Sequence, residues 1–141
     1  MSKLVEFLEN TPEVDNEEYY NQVNEHINNE FPDCSFSICL DNSDLKNLDI
    51  PFTTRRKIRL IDTNISSSNY YYSNVPENIV KRMKRGIYVS QINNTPITLR
   101  HILNTLSNSK HFKGFKGRDD HRFLESINKV SEVDYELWFG S

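Results

Sequence analysis

Three short runs in this chain carry apolar residues at every second position. They are CSFSICL at 34–40, RRKIRLID at 55–62 and VDYELWF at 133–139. Successive side chains on a strand point to opposite faces, so each run builds a strip with one apolar side. Phe36, Ile38 and Leu40 share one parity. Ile58 and Leu60 do the same with Arg59 outward, and so do Val133, Tyr135, Leu137 and Phe139. A half-buried strand needs sheet neighbours and a cover for its apolar face. These runs therefore require a sheet with a second layer packed against it.

The helices follow from the second period. Ser2 caps SKLVEFLEN, with Leu4, Phe7 and Leu8 on one side. Asp15 and Glu18 form a capping-box pattern ahead of Tyr20, Val23, Ile27 and Phe31, and Pro32 ends that run. PENIVKRMKRG has Pro76 in its first turn, Ile79, Val80 and Met83 as its stripe, and Gly86 just past its end. Thr98 caps LRHILNTLSN, where Leu99, Ile102, Leu103 and Leu106 share a face.

Between these elements, DNSDLKNLDIP reads as a loop. Asn93-Asn94 reads as a hairpin turn joining IYVSQI to a return strand that begins TPI. The run from Phe123 pairs with VDYELWF as a terminal hairpin. The expectation is a single α+β domain with a small, mostly antiparallel sheet and about four helices. Its 141 residues suit one domain.

Charge divides the chain. Residues 1–50 carry 2 basic and 12 acidic side chains, a net −10, and residues 51–130 carry 15 basic and 5 acidic, a net +10. The expected organisation is an acidic segment 1–50 packed on a basic core 51–141, the two forming one folding unit. The basic clusters are Arg55, Arg56 and Lys57; Lys81, Arg82, Lys84 and Arg85; and Lys110, Lys113, Lys116 and Arg118. Cations in register bind phosphates, and nearby aromatics such as Tyr70, Tyr71, Tyr72, Phe112 and Phe115 can stack on bases. The competing reading is neutralisation by the acidic segment. No zinc-finger spacing, RNP sequence or basic zipper accompanies the clusters.

One stretch gathers titratable groups. Asp119, Asp120, His121 and Glu125 lie within seven positions, with His101 upstream. A histidine beside carboxylates is the raw material of a general base or a divalent-metal site. The spacing matches no HExxH-type motif, and GxSxG, phosphate-cradling glycine loops and CxxC are missing from the sequence. The plainer reading makes the stretch a junction: Asp120 at the turn, and His121 and Glu125 meeting His101 or Arg100. Cys34 and Cys39 are five apart, which on a strand puts them on opposite faces, so they are read as unpaired, reduced residues near the core. No cofactor or metal is expected.

Several stretches run in order along the last third: TPITLRHILNTLSNSKHF, DDHRFLESI and YELWFGS. This string resembles a family of uncharacterised proteins of nucleocytoplasmic large DNA viruses, the mimivirus-like giant viruses in particular. The resemblance covers roughly residues 55–141 and implies a viral origin and no activity. The 17 asparagines agree with an AT-rich genome.

These readings lead to a non-enzymatic viral interaction module: an adaptor, a virion component or a host-factor binder. Tyr70, Tyr71, Tyr72 and Trp138 are its aromatic anchors, core burial being the competing reading for Trp138. Non-specific nucleic-acid binding through the basic clusters is the second reading, and a metal-dependent hydrolase or nuclease using the His/Asp/Glu group is the third. Expected partners are a viral or host protein, DNA or RNA, or a second copy in a homodimer. No run approaches the roughly 20 apolar residues of a membrane span. The expected location is intracellular rather than secreted: host cytoplasm, nucleus or virion.

Overall fold

The structure is a computed structural model, and it describes residues 2–62, 78, 81, 84–109 and 123–140. Its sheet contains β1 (Ser37–Ile38), β2 (Lys57–Asp62), β3 (Ile87–Ser90), β4 (Phe123–Lys129) and β5 (Asp134–Gly140). Among the described residues the helices with defined bounds are α1 (Lys3–Asn10), α2 (Glu17–Glu30), α3 (Asn42–Leu45) and α4 (Leu99–Asn108). The strand order is β1-β4-β5-β2-β3. The β4–β5 hairpin and the β2–β3 pair are antiparallel, while β1 joins β4 and β2 joins β5 in parallel. The fold is α+β, as the two sequence periods require.

The alternating runs place their apolar parity inward. Ile58, Leu60, Leu124, Tyr135, Leu137 and Phe139 are all buried. Val133 lies ahead of β5 and is exposed. The first run is shorter than its pattern indicates. Phe36, Ile38 and Leu40 are buried in phase, but only Ser37–Ile38 pairs as strand, and Cys39 N–H bonds the carbonyl of Leu124 at 2.8 Å. The chain then turns into α3, where a loop is expected. Both Asp44 N–H and Leu45 N–H bond the Asp41 carbonyl, so a single helical turn forms.

Helix starts follow cap chemistry. The hydroxyl of Ser2 accepts from Val5 N–H, and that of Thr98 from His101 N–H. In α2 the cap is Asn16, not Asp15: its Oδ1 accepts from Tyr19 N–H at 2.8 Å. The core stripe is correspondingly Tyr19, Val23 and Ile27, spaced by four, and Tyr20 stands on the outside, 42% exposed. Tyr19 can be buried because its phenol oxygen accepts from Asn42 Nδ2 at 2.9 Å.

Asn93 and Asn94 both adopt positive φ, 52° and 61°, and Ile92 and Thr95 bridge across them. That is the backbone of a type I′ turn. The expected return strand does not join the sheet. Pro96 offers no N–H to a ladder; instead Phe52 N–H bonds Ile97 O at 2.7 Å and Thr98 bridges Pro51. In the expected helix before Gly86, the described residues Asn78, Lys81 and Lys84 are helical. Gly86 has φ +87°, and a Cβ there would lie 2.8 Å from the Leu60 carbonyl oxygen.

One apolar core unites these elements. It runs from Leu4, Val5 and Leu8 through Leu103 and Leu106 to Phe139. Among the described residues, half of its buried members come from the first 50 positions, including Tyr19, Val23, Ile27, Phe31, Leu45 and Leu48. The acidic segment is built into this core by apolar burial.

Candidate functional site

The inner face of the sheet is filled by the core. The outer face carries the opposite parity: Tyr88 on β3, Lys57, Arg59 and Ile61 on β2, Asp134, Glu136 and Trp138 on β5, and Phe123, Ser126 and Asn128 on β4. β5 is the middle strand of five, so a second layer would bury its outward side chains most deeply. Trp138 is nevertheless 48% exposed. It sits opposite Ser126, a small neighbour that leaves the indole uncovered on that flank. Tyr88 and Phe123, near the two edges, are also exposed.

The charges on this face are of both signs. Arg59 lies between Tyr88 and Asp134 in register, and its Nε donates to Asp134 Oδ1 at 2.9 Å. That bond holds the Asp134 carboxyl below its ordinary range and the Arg59 guanidinium above its own. The Lys57 ammonium sits 4.5 Å from the centre of the Tyr88 ring, a cation–π contact. Phe123 ends the face beside Gly140, whose missing side chain leaves the space the Glu125 carboxylate fills.

Of the first basic cluster, Arg55 pairs with Glu132 at 3.0 Å and Lys57 lies on Tyr88. Arg56 is exposed, and its carbonyl accepts from Gln91 N–H. In the second cluster Lys81, Lys84 and Arg85 are described and exposed, while Arg82 lies outside the described residues. The two clusters flank opposite ends of the β2–β3 pair. Lys57 faces Ser90 and Leu60 faces Ile87, which puts roughly 10 Å or more between them at ~3.3 Å per residue. Lys110, Lys113, Lys116 and Arg118, and the aromatics Tyr70, Tyr71, Tyr72, Phe112 and Phe115, lie outside the described residues.

Of the titratable group, Asp119, Asp120 and His121 likewise lie outside the described residues. His101 sits half-buried in the first turn of α4, and Glu125 stands exposed on β4 beside Cys39 and Gly140. Arg100 is not a partner of Glu125. It is held by Asp49 and Glu30. Among the described residues, no group of three or more His, Cys, Asp or Glu could hold a metal. Cys34 and Cys39 are free thiols, Cys34 partly buried and Cys39 exposed. Burial pushes both thiols up, with the Glu125 carboxylate adding to the effect at Cys39.

The outward aromatics Tyr88 and Phe123 were not singled out from sequence as anchors. The signal was present: Tyr88 lies between inward Ile87 and Val89, and Phe123 precedes inward Leu124. No helix of the described residues is long and apolar enough to cross a membrane. No family model, curated protein or solved structure matches this chain.

Proposed function

We propose that this chain is a non-enzymatic interaction module that binds a partner protein through the outer face of its sheet, with Trp138 as the anchor. The observation that carries the reading is an indole 48% exposed on the central strand. Tryptophan is among the residues that dominate interface energies. Covering the exposed half of such a ring removes roughly 100 Å² from water, worth about 2.5 kcal/mol at ~25 cal/mol per Å². The surrounding charges favour protein over nucleic acid. Lys57 and Arg59 share the face with Asp134 and Glu136, so its described residues form no continuous positive strip for phosphates. The resemblance of residues 55–141 to a giant-virus family makes the partner a viral or host protein, met inside the host cell or in the virion; that part rests on the motif string alone.

The test places a photo-crosslinking amino acid at position 138, identifies the protein it captures in cells, and reconstitutes the pair from purified components. Trp138→Ala is expected to weaken the purified complex by about tenfold or more while leaving the unfolding midpoint of the free chain nearly unchanged. Tyr20→Ala, on a different exposed surface, serves as the control. Equal affinity for Trp138→Ala and the parent chain would remove the sheet face from the interface.

A further inference from the structure

On the other side of the sheet from Trp138, a cavity of about 310 Å³ opens between the 40–52 segment, the start of α4 and β4. Leu40, Phe52, Leu99 and Ile127 make its apolar wall. Ile50 stands at its rim, 55% exposed although it adjoins this apolar surface. Asp44 and Asn47 supply the polar lining. The volume is at the lower limit of the roughly 300–1,000 Å³ typical of small-molecule clefts, so it suits a large side chain better than an extended cofactor.

The electrostatics decide what kind of side chain. Asp44 sits near Asp41, and no ion pair or side-chain hydrogen bond neutralises either carboxylate among the described residues. Burial, followed by the charge of Asp41, pushes the Asp44 carboxyl up. A cation arriving at this mouth would relieve that repulsion, and an anion would add to it. A second depression shares Leu40 with the first and lies along α2. It adds Glu13 and Asp41, so the approach is acidic on both sides of α3.

We infer that this cavity docks one large apolar side chain of a partner protein, presented on a segment that carries lysine or arginine beside it. The apolar wall takes the side chain, and Asp44 and Asp41 meet the flanking cations. This surface is separate from the outer sheet face, so either can fail without the other. A second copy of the chain is a distinct occupant that the dilution arm of the test below identifies.

The experiment titrates the full chain with three end-blocked pentapeptides and follows backbone amide shifts. The peptides are Lys-Lys-Phe-Lys-Lys, Lys-Lys-Gly-Lys-Lys and Glu-Glu-Phe-Glu-Glu. The first is expected to shift Leu40, Asp44, Asn47 and Phe52 saturably. The other two should bind at least about tenfold more weakly, since each lacks either the apolar group or the cations. Asp44→Asn should weaken the first peptide by about three- to fivefold, the range of an exposed ion pair. Ile50→Ser, at the exposed rim, should weaken it without unfolding the chain, as the unchanged remainder of the spectrum would show. Equal binding of the glycine peptide would reduce the site to a bare acidic surface and overturn the inference. So would equal binding of the acidic peptide, or shifts centred on Trp138 and Tyr88. A dilution series of the chain alone that moved the same amides would assign the cavity to a second copy, and overturn it too.

Discussion

Arg100 grips Asp49 at two points, Nε to Oδ1 at 2.6 Å and Nη2 to Oδ2 at 3.2 Å, and reaches Glu30 with Nη1 at 2.9 Å. Glu30 also accepts from the Ser2 hydroxyl and lies 3.5 Å from Leu4 N–H. The guanidinium stands 5.9 Å from the centre of the Phe31 ring. One cation of the basic half thus ties together the starts of α1 and α4, the end of α2 and the segment after α3. This cation lies outside the basic clusters; of the first basic run, Arg55 and Arg59 pair with the acidic residues 132 and 134 rather than with the acidic segment 1–50.

Arg100→Met should therefore cost more than an ordinary surface change. It leaves Glu30, whose side chain is 17% exposed, without its cation. The expected loss is about 1–3 kcal/mol, below that of a fully buried pair because Asp49 is half exposed. Urea unfolding of the variant beside the parent chain measures it. A loss within 0.5 kcal/mol, ~the range of a neutral surface substitution, would show that the clamp adds nothing.

The same clamp gives a pH dependence of definite sign. Burial raises the Glu30 carboxyl, but the hydrogen bonds from Ser2 and Arg100 outweigh it, so the group titrates below its ordinary range. In the unfolded chain it takes its proton near pH ~4.3. Its contribution is complete above that value and disappears as pH falls through the lower folded value. The difference in urea midpoint between the parent chain and Arg100→Met should shrink between neutral pH and about pH 3. A constant gap would assign the effect of Arg100 to packing on Phe31.

Two glycines should respond differently to alanine. Gly86 has φ +87°, and its added Cβ would meet backbone, the Leu60 carbonyl, at 2.8 Å. Neither the conformation nor the neighbour can yield cheaply, so Gly86→Ala should cost about 1–3 kcal/mol. At Gly140 the obstacle is the far end of the Glu125 side chain, which can swing into solvent. Gly140→Ala should cost less than about 1 kcal/mol, and Glu125→Ala should abolish that cost. Thermal melts of the three variants and the double variant settle the comparison.

Leu4→Ala tests whether the acidic segment is part of the folding unit. Leu4 is fully buried, in the same core as Leu106 and Leu137. A cavity there should destabilise the whole chain by about 2–5 kcal/mol in a single cooperative transition. Two separate transitions, with only the helix signal affected early, would mean that residues 1–50 form a detachable layer. Deleting residues 1–31 should unfold the core rather than simply unmask positive charge, because Leu4, Tyr19, Val23, Ile27 and Phe31 leave with it.

Local chemistry was legible in the sequence. Apolar residues at every second position located β2 and β5 and their inward parity, because a strand side chain has only two directions; β4 was read only as the hairpin partner of β5, and its inward residue is Leu124 rather than the parity of Phe123 and Glu125. Ser2, Thr98 and the Asn93-Asn94 turn were readable because caps and turns are satisfied by residues a few positions away. The choice of Tyr19 over Tyr20 was not, since both suit a helix; a phenol partner on Asn42, 23 residues on, accompanies the burial of Tyr19. Nor was α3 readable in a run of loop-forming residues, where one turn of helix lies against the same core through Leu45, followed by a turn that buries Leu48. Likewise, nothing local showed that β5 would lie parallel to β2 and bring Arg59 to Asp134, 75 residues apart. Trp138 shows the division most clearly. Its parity opposite Leu137 and Phe139 was set by the sequence, which directs the indole away from the core. Whether that outward face is open or covered depends on the order of strands and on what packs over them. Only the tertiary structure decided that, by placing Trp138 on the middle strand and leaving about half of it in water.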